Sequence, residues 1–83
     1  MYYIYILQCA DKTLYTGITV DPERRIKEHN ESKIGAKYTR ARLPVQLIYS
    51  KEFPDRSQAS KEENRIKKLS RKEKLELIRK NSV

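Results

Sequence analysis

The order of segments in these 83 residues predicts an α/β fold of the α+β type: a three-stranded antiparallel sheet flanked by helices, in the order β-β-α-β-α-α. Three observations predict it. Residues 2–7 and 13–18 are aromatic and β-branched runs, and their connection is too short for a parallel crossover, so they pair as a hairpin. Asp21-Pro22, Asp55 and Ser70 each carry helix-start chemistry. Residues 45–53 supply a third apolar run between the first helix and the last two. No linker, repeat or low-complexity tract divides them, so residues 1–83 read as a single domain.

In the first strand, Tyr3, Tyr5 and Leu7 share one sheet face. Ala10, Asp11 and Lys12 make the turn, and Thr13, Tyr15 and Gly17 share one face of the returning strand. A register that joins these sets brings Tyr5 to Tyr15. Asp21 caps the exposed N–H groups of the first helix, and Pro22 has no N–H to lose there. This helix runs to Asn30 or Glu31, buries Pro22 and Ile26, and sets Arg25 and His29 on one side, four residues apart. Residues 32–43 lack periodicity and read as a loop ended by Pro44. In 45–53, Val45, Leu47 and Tyr49 alternate with Gln46 and Ile48, and the apolar Ile48 implies covering on both faces. Asp55 with Gln58 opens a second helix whose inner side is Ala59, Glu62, Ile66 and Leu69. Ser70 with Glu73 repeats the capping-box spacing and opens a third, anchored by Leu75 and Ile78.

Nineteen Lys and Arg against eleven Asp and Glu leave a net charge of +8. Such a field favours polyanions and speeds encounter with them, although an acidic membrane surface attracts it equally. No apolar run is long enough to span a bilayer, and no basic-then-apolar leader opens the chain. The one cysteine, Cys9, allows neither an internal disulfide nor a cysteine-based zinc cluster, and the one histidine excludes a His-rich metal site. A cytoplasmic setting, with nucleoid association open, is the expectation.

Several of these residues recur in a known order. Tyr3-Ile4-Tyr5, Tyr15-Thr16-Gly17, Asp21-Pro22-Glu23-Arg24-Arg25, His29 and Glu63-Asn64-Arg65-Ile66-Lys67 together resemble the motifs of the GIY-YIG nuclease superfamily. Lys37-Tyr38-Thr39, Leu69-Ser70-Arg71 and Leu77-Ile78 are similar to its small stand-alone, single-domain subgroup, and the resemblance covers nearly the whole chain. Tyr3 stands where the first motif usually has a leading glycine, and Ile18 where excision-repair relatives often carry a lysine near the metal. The resemblance implies a metal-dependent DNA endonuclease that hydrolyses phosphodiester bonds with low sequence specificity, in DNA repair or on structured DNA. Branched or single-stranded DNA is the implied partner, and Mg²⁺ or Mn²⁺ the implied cofactor. The alternative is a non-catalytic nucleic-acid-binding protein that retains the nuclease fold.

The same resemblance distributes the roles. Family spacing selects Arg25 over Arg24 as the catalytic arginine, a planar guanidinium suited to phosphate oxygens, and Glu63 over Glu62 as the metal ligand. Tyr5 or Tyr15 accepts the attacking water's proton, with Tyr5 preferred, although a free phenol with a pKa of about 10 is a poor base at neutral pH. His29 orients Tyr15 or the water, or protonates the leaving group. Gly17 serves geometry by permitting close approach. Lys33, Lys37, Arg40 and Arg42 are phosphate contacts, and Tyr38 stacks on an unpaired base. Taken singly these residues have plainer readings: Glu63 and Arg25 as solvated helix residues, the tyrosines as hairpin packing, His29 as a surface residue or cap, and the basic loop as a solubilising one.

Overall fold

The structure, a computed structural model, describes residues 1–31 and 42–81. Strands β1 (Tyr2–Gln8) and β2 (Leu14–Thr19) are followed by helix α1 (Pro22–Asn30), strand β3 (Gln46–Phe53), and helices α2 (Arg56–Lys67) and α3 (Arg71–Asn81). This is the β-β-α-β-α-α order that the sequence predicts. The strands form one antiparallel sheet in the order β2-β1-β3, with β1 central.

The helices begin where side chains can satisfy their first N–H groups. Asp21 Oδ1 accepts from the Arg24 N–H at 3.2 Å, and Asp55 Oδ1 from the Gln58 N–H at 2.8 Å. Ser70 and Glu73 form the full capping box: the Ser70 N–H donates to Glu73 at 2.9 Å, and the Glu73 N–H to Ser70 Oγ at 3.2 Å. The hairpin turn closes through Lys12 N–H to Cys9 O and Cys9 N–H to Thr13 O, both at 2.9 Å. Thr13 therefore belongs to the turn, where its N–H and hydroxyl both donate to Asp11, and β2 starts one residue later than the pattern suggests.

The pleat of β1 divides the core in two. Ile4 and Ile6 are fully buried on one face with Tyr49, Ala59 and Ile66, and Ile18, Leu77 and Ile78 pack around them. Tyr5 and Leu7 point the other way and cluster with Cys9 and Val45, packed by Ile26 of α1 and by Leu47. Each fully buried aliphatic side chain contributes on the order of 1.5–3 kcal/mol of apolar transfer.

Two packing expectations need correction. Tyr49 does not share a face with Val45 and Leu47. Ile6 pairs with Tyr49 while Leu7 pairs with Leu47, which leaves Ile48 as an extra, bulged residue and flips the alternation beyond it. Leu75 is not an anchor of α3: it is 41% exposed, and Leu77 and Ile78 meet the core instead.

Candidate functional site

Tyr5 is the centre of the predicted set, and its strand neighbours give it room. It faces Gly17 across β1–β2 and Ser50 across β1–β3. A Cβ on Gly17 would stand 2.5 Å from the Tyr5 hydroxyl oxygen and 2.6 Å from Cζ. The ring thus lies against the β2 backbone at Gly17, and the missing side chain is what admits it.

Tyr15 pairs directly with Leu7, which puts it diagonally across from Tyr5, with ring centroids 6.3 Å apart. His29, from the last turn of α1, meets both rings at steep angles, 6.0 Å from Tyr5 and 5.3 Å from Tyr15. His29 is fully buried, neither a surface residue nor a cap, and its Nε2 lies 3.2 Å from the Tyr5 hydroxyl. One turn earlier, the Arg25 guanidinium hydrogen-bonds to the Tyr5 hydroxyl and, through Nη1, to Glu28 Oε1 at 3.0 Å.

Burial and neighbouring charge bear on the charge state of each group. Burial pushes the Tyr5 phenol above its ordinary value, Tyr15 and Glu63 add to this, and Arg25 opposes it. Burial likewise lowers His29, helped by the nearby Arg25 charge. Both groups are therefore neutral at neutral pH. A guanidinium can only donate, so Tyr5 accepts from Arg25; in the His29 tautomer that leaves Nε2 unprotonated, Tyr5 donates its own proton there. Arg25 stays charged: burial works against it, but its bonds to Tyr5 and Glu28 outweigh that and raise its pKa.

Glu63 and Glu62 part company on α2. Glu63 is half-buried, close enough to act electrostatically on the Tyr5 phenol, and carries Lys67 Nζ at 3.2 Å. Glu62 is gripped by Arg65 and faces Tyr49 and Lys51 of β3. Among the described residues no group of three or more His, Cys, Asp or Glu gathers to hold a metal. What Glu63 offers is one hard oxygen ligand beside the tyrosine cluster, which suits a divalent ion whose shell is otherwise water and phosphate.

The structure thus brings Tyr5, Tyr15, Gly17, Arg25 and His29 together, with Glu63 in electrostatic reach. It does not leave them open in a common cleft, because Tyr5 is only 1% exposed. Arg42 is engaged within the protein: its Nε donates to Asp11 Oδ2 at 3.0 Å and its carbonyl accepts from the Ala10 N–H. That pairing ties the hairpin turn to the chain entering β3. Lys33, Lys37, Tyr38 and Arg40 lie outside the described residues.

Two supporting residues escaped the sequence reading. Glu28 takes Arg25 on one oxygen and Arg24 Nε on the other at 3.1 Å. Its spacing of three and four residues from the two arginines was the available signal. Asn30 accepts from the Val45 N–H at 2.8 Å and donates to the Val45 carbonyl at 3.3 Å, fastening the end of α1 beside β3. Only tertiary structure reveals that pair.

The profile of the GIY-YIG catalytic domain matches residues 1–76. This chain belongs to the GIY-YIG family. Within it, the chain is 54% identical over 79 residues to a UPF0213 protein of Syntrophus aciditrophicus, covering 95% of this chain and 91% of that one. It is 51% identical over 83 residues to a UPF0213 protein of Clostridium perfringens, covering 100% and 88%. A solution NMR structure of a UPF0213 protein from Bacillus halodurans superposes with a TM-score of 0.64 at 45% identity, over 98% of this chain and 86% of that one. A second NMR structure, from E. faecalis, gives a TM-score of 0.61 at 43% identity, over 92% and 81%. These likenesses place the chain among small GIY-YIG proteins. Among the described residues no helix is long and apolar enough to cross a membrane.

Proposed function

We propose that this chain is a nucleic-acid-binding protein that retains the GIY-YIG nuclease fold, with DNA, branched or single-stranded, as its partner. One observation carries the reading: the site turns its cations outward and its proton-moving groups inward. Arg24 is exposed and Arg25 partly so, whereas Tyr5 and His29 are shut from solvent. A phosphate can reach the arginines without entering the ring cluster, and the charge of +8 supplies the long-range attraction.

Cleavage is the second reading, and a specific pair of contacts favours it. Tyr5 is hydrogen-bonded to His29 and feels the charge of Glu63. Glu63 would hold Mg²⁺ or Mn²⁺; the ion, when bound, opposes the charge that builds on the phosphate and the leaving oxygen. This reading requires the buried cluster to open to the attacking water; Tyr5 would then take its proton at the hydroxyl oxygen while passing its own to an unprotonated Nε2 of His29, so no free phenolate is needed. Arg25 opposes the charge developing on the phosphate. The proton's destination is a buried imidazole beside Arg25, an uphill step that keeps hydrolysis slow.

Both readings meet one experiment. Labelled single-stranded, nicked and branched DNAs are incubated with wild-type, Arg25→Ala and Glu63→Ala protein, in Mg²⁺, Mn²⁺ or chelator, and scored for binding and cutting. Wild type is expected to bind all three at low salt, and Arg25→Ala to bind more weakly. Cutting that needs the ion and disappears in both variants establishes the second reading; cutting unchanged in both dismisses the assigned site. Wild-type protein that binds no DNA at low salt overturns the first.

A further inference from the structure

Beside the ring cluster, at the opposite end of β2 from the hairpin turn, lies an open pocket of about 220 Å³ lined by Thr19, Val20, Asp21, Arg24, Arg25 and Glu28. It is smaller than the roughly 300–1,000 Å³ that encloses a whole small ligand, a size that suits one group of a longer polymer. Two of its walls are guanidiniums, and both are turned onto a single carboxylate. Glu28 gives Oε1 to Arg25 at 3.0 Å and Oε2 to Arg24 at 3.1 Å. Asp21, the other acid, uses its carboxylate to cap α1.

We propose that this pocket is a phosphodiester-binding subsite and that Glu28 is its internal competitor, occupying with its two oxygens the place that two non-bridging phosphate oxygens take when nucleic acid binds. The inference rests on the nucleic-acid-binding reading above and deepens it. A carboxylate and a phosphodiester each present two acceptor oxygens with a shared negative charge, and arginine suits both. The helix enforces the arrangement: residues three and four apart on α1 share a face, so Glu28 reaches both arginines without help from tertiary structure. Arg24 is 73% exposed, so its bond to Glu28 is one that solvent and salt can break. The arginines are thus held in place before binding and released to phosphate on arrival, at the cost of leaving the Glu28 charge nearby. The exposed Val20 on the rim offers an apolar contact to the adjoining sugar.

The test compares Glu28→Gln with Glu23→Gln, an exposed acid on the same helix whose loss changes the net charge equally. Binding of a labelled single-stranded oligonucleotide is followed by anisotropy. Glu28→Gln is expected to bind about tenfold more tightly than Glu23→Gln, equivalent to about 1.4 kcal/mol. Adding Arg24→Ala is expected to cost little in wild type and most of that gain in Glu28→Gln, a coupling that a simple charge effect lacks. Glu28→Gln binding no better than Glu23→Gln, or worse, overturns the proposal. A second arm titrates inorganic phosphate while the arginine Nε–Hε signals are followed by NMR. Those of Arg24 and Arg25 are expected to move at lower phosphate concentration in Glu28→Gln than in wild type, and equal responses overturn the subsite. If the phosphate arm succeeds while no variant binds DNA, the nucleic-acid reading has failed and the anion site stands.

Discussion

At position 17 a hydrogen in place of a methyl decides where the Tyr5 ring can lie. An added Cβ would meet the ring at 2.5–2.6 Å, and the backbone of a paired strand has little freedom to withdraw. Gly17→Ala is therefore expected to cost about 1–3 kcal/mol, the usual penalty of overpacking a core. Urea unfolding measures it, and most of the loss should vanish when Tyr5→Ala is already present, because the two side chains then no longer compete for space. Period-two alternation made Tyr5, Tyr15 and Gly17 legible before any coordinates, since a hairpin leaves few registers. The burial of His29 was not legible, because the helix face a lone histidine occupies depends on where Asn30 fastens α1. That burial has a pH signature. The folded state lowers the His29 pKa, so the unfolded chain binds the proton first as pH falls, and stability drops below about pH 6.5. Asp11, Glu28, Glu62 and Glu73, whose pKa values are also lowered, lose their contributions in a more acid window. His29→Gln should flatten the stability profile just below about pH 6.5 and leave the more acid limb intact; an unchanged upper limb would show that the imidazole is not responsible.

Among the elements, the boundaries that side-chain chemistry sets were the readable ones. Asp21, Asp55 and the Ser70–Glu73 pair each sit where a helix begins, because cap residues bond to N–H groups within three residues of themselves. The bulge at Ile48 has no such local mark. An apolar residue between two apolar residues reads equally as a strand covered on both faces or as a slip in register, and only pairing with β1 decides. The same ambiguity misplaced Leu75: on α3, Leu75, Leu77 and Ile78 are too closely spaced for periodicity to say which face docks. The caps allow a direct test. Asp55→Ala should cost about 0.5–2 kcal/mol by removing the acceptor for the Gln58 N–H. Because α2 also carries Glu63, loosening its start need not move that residue two turns on, and DNA affinity should stay near wild type. A loss of affinity as large as that in Arg25→Ala would mean that the whole helix shifts with its cap.

At the scale of the whole molecule, two basic groups among the described residues differ in where they stand. Arg24 and Arg25 lie at the pocket on α1, whereas Lys67, Lys68, Arg71 and Lys72 are exposed where α2 passes into α3. Of these, Arg25 meets Tyr5 and Lys67 pairs with Glu63, so affinity from Lys68, Arg71 and Lys72 would add footprint without bearing on the ring chemistry. Counterion release separates these contributions, because each phosphate contact adds about 0.9 to the slope of log affinity against log salt on duplex DNA and about 0.7 on single strands. If the footprint reaches the α2–α3 corner, Lys68→Gln with Lys72→Gln should lower that slope by roughly 1.4–1.8. Lys12→Gln, at the hairpin turn and the far end of β2 from the pocket, should leave it unchanged. An effect of Lys12→Gln half as large as that of the corner pair, one charge against two, would mean that nucleic acid responds to the net +8 alone and that no face is selected. A reduced slope from the corner pair, with cutting of bound DNA unaltered, would instead assign the terminal helices to grip and leave the chemistry to the cluster around Tyr5.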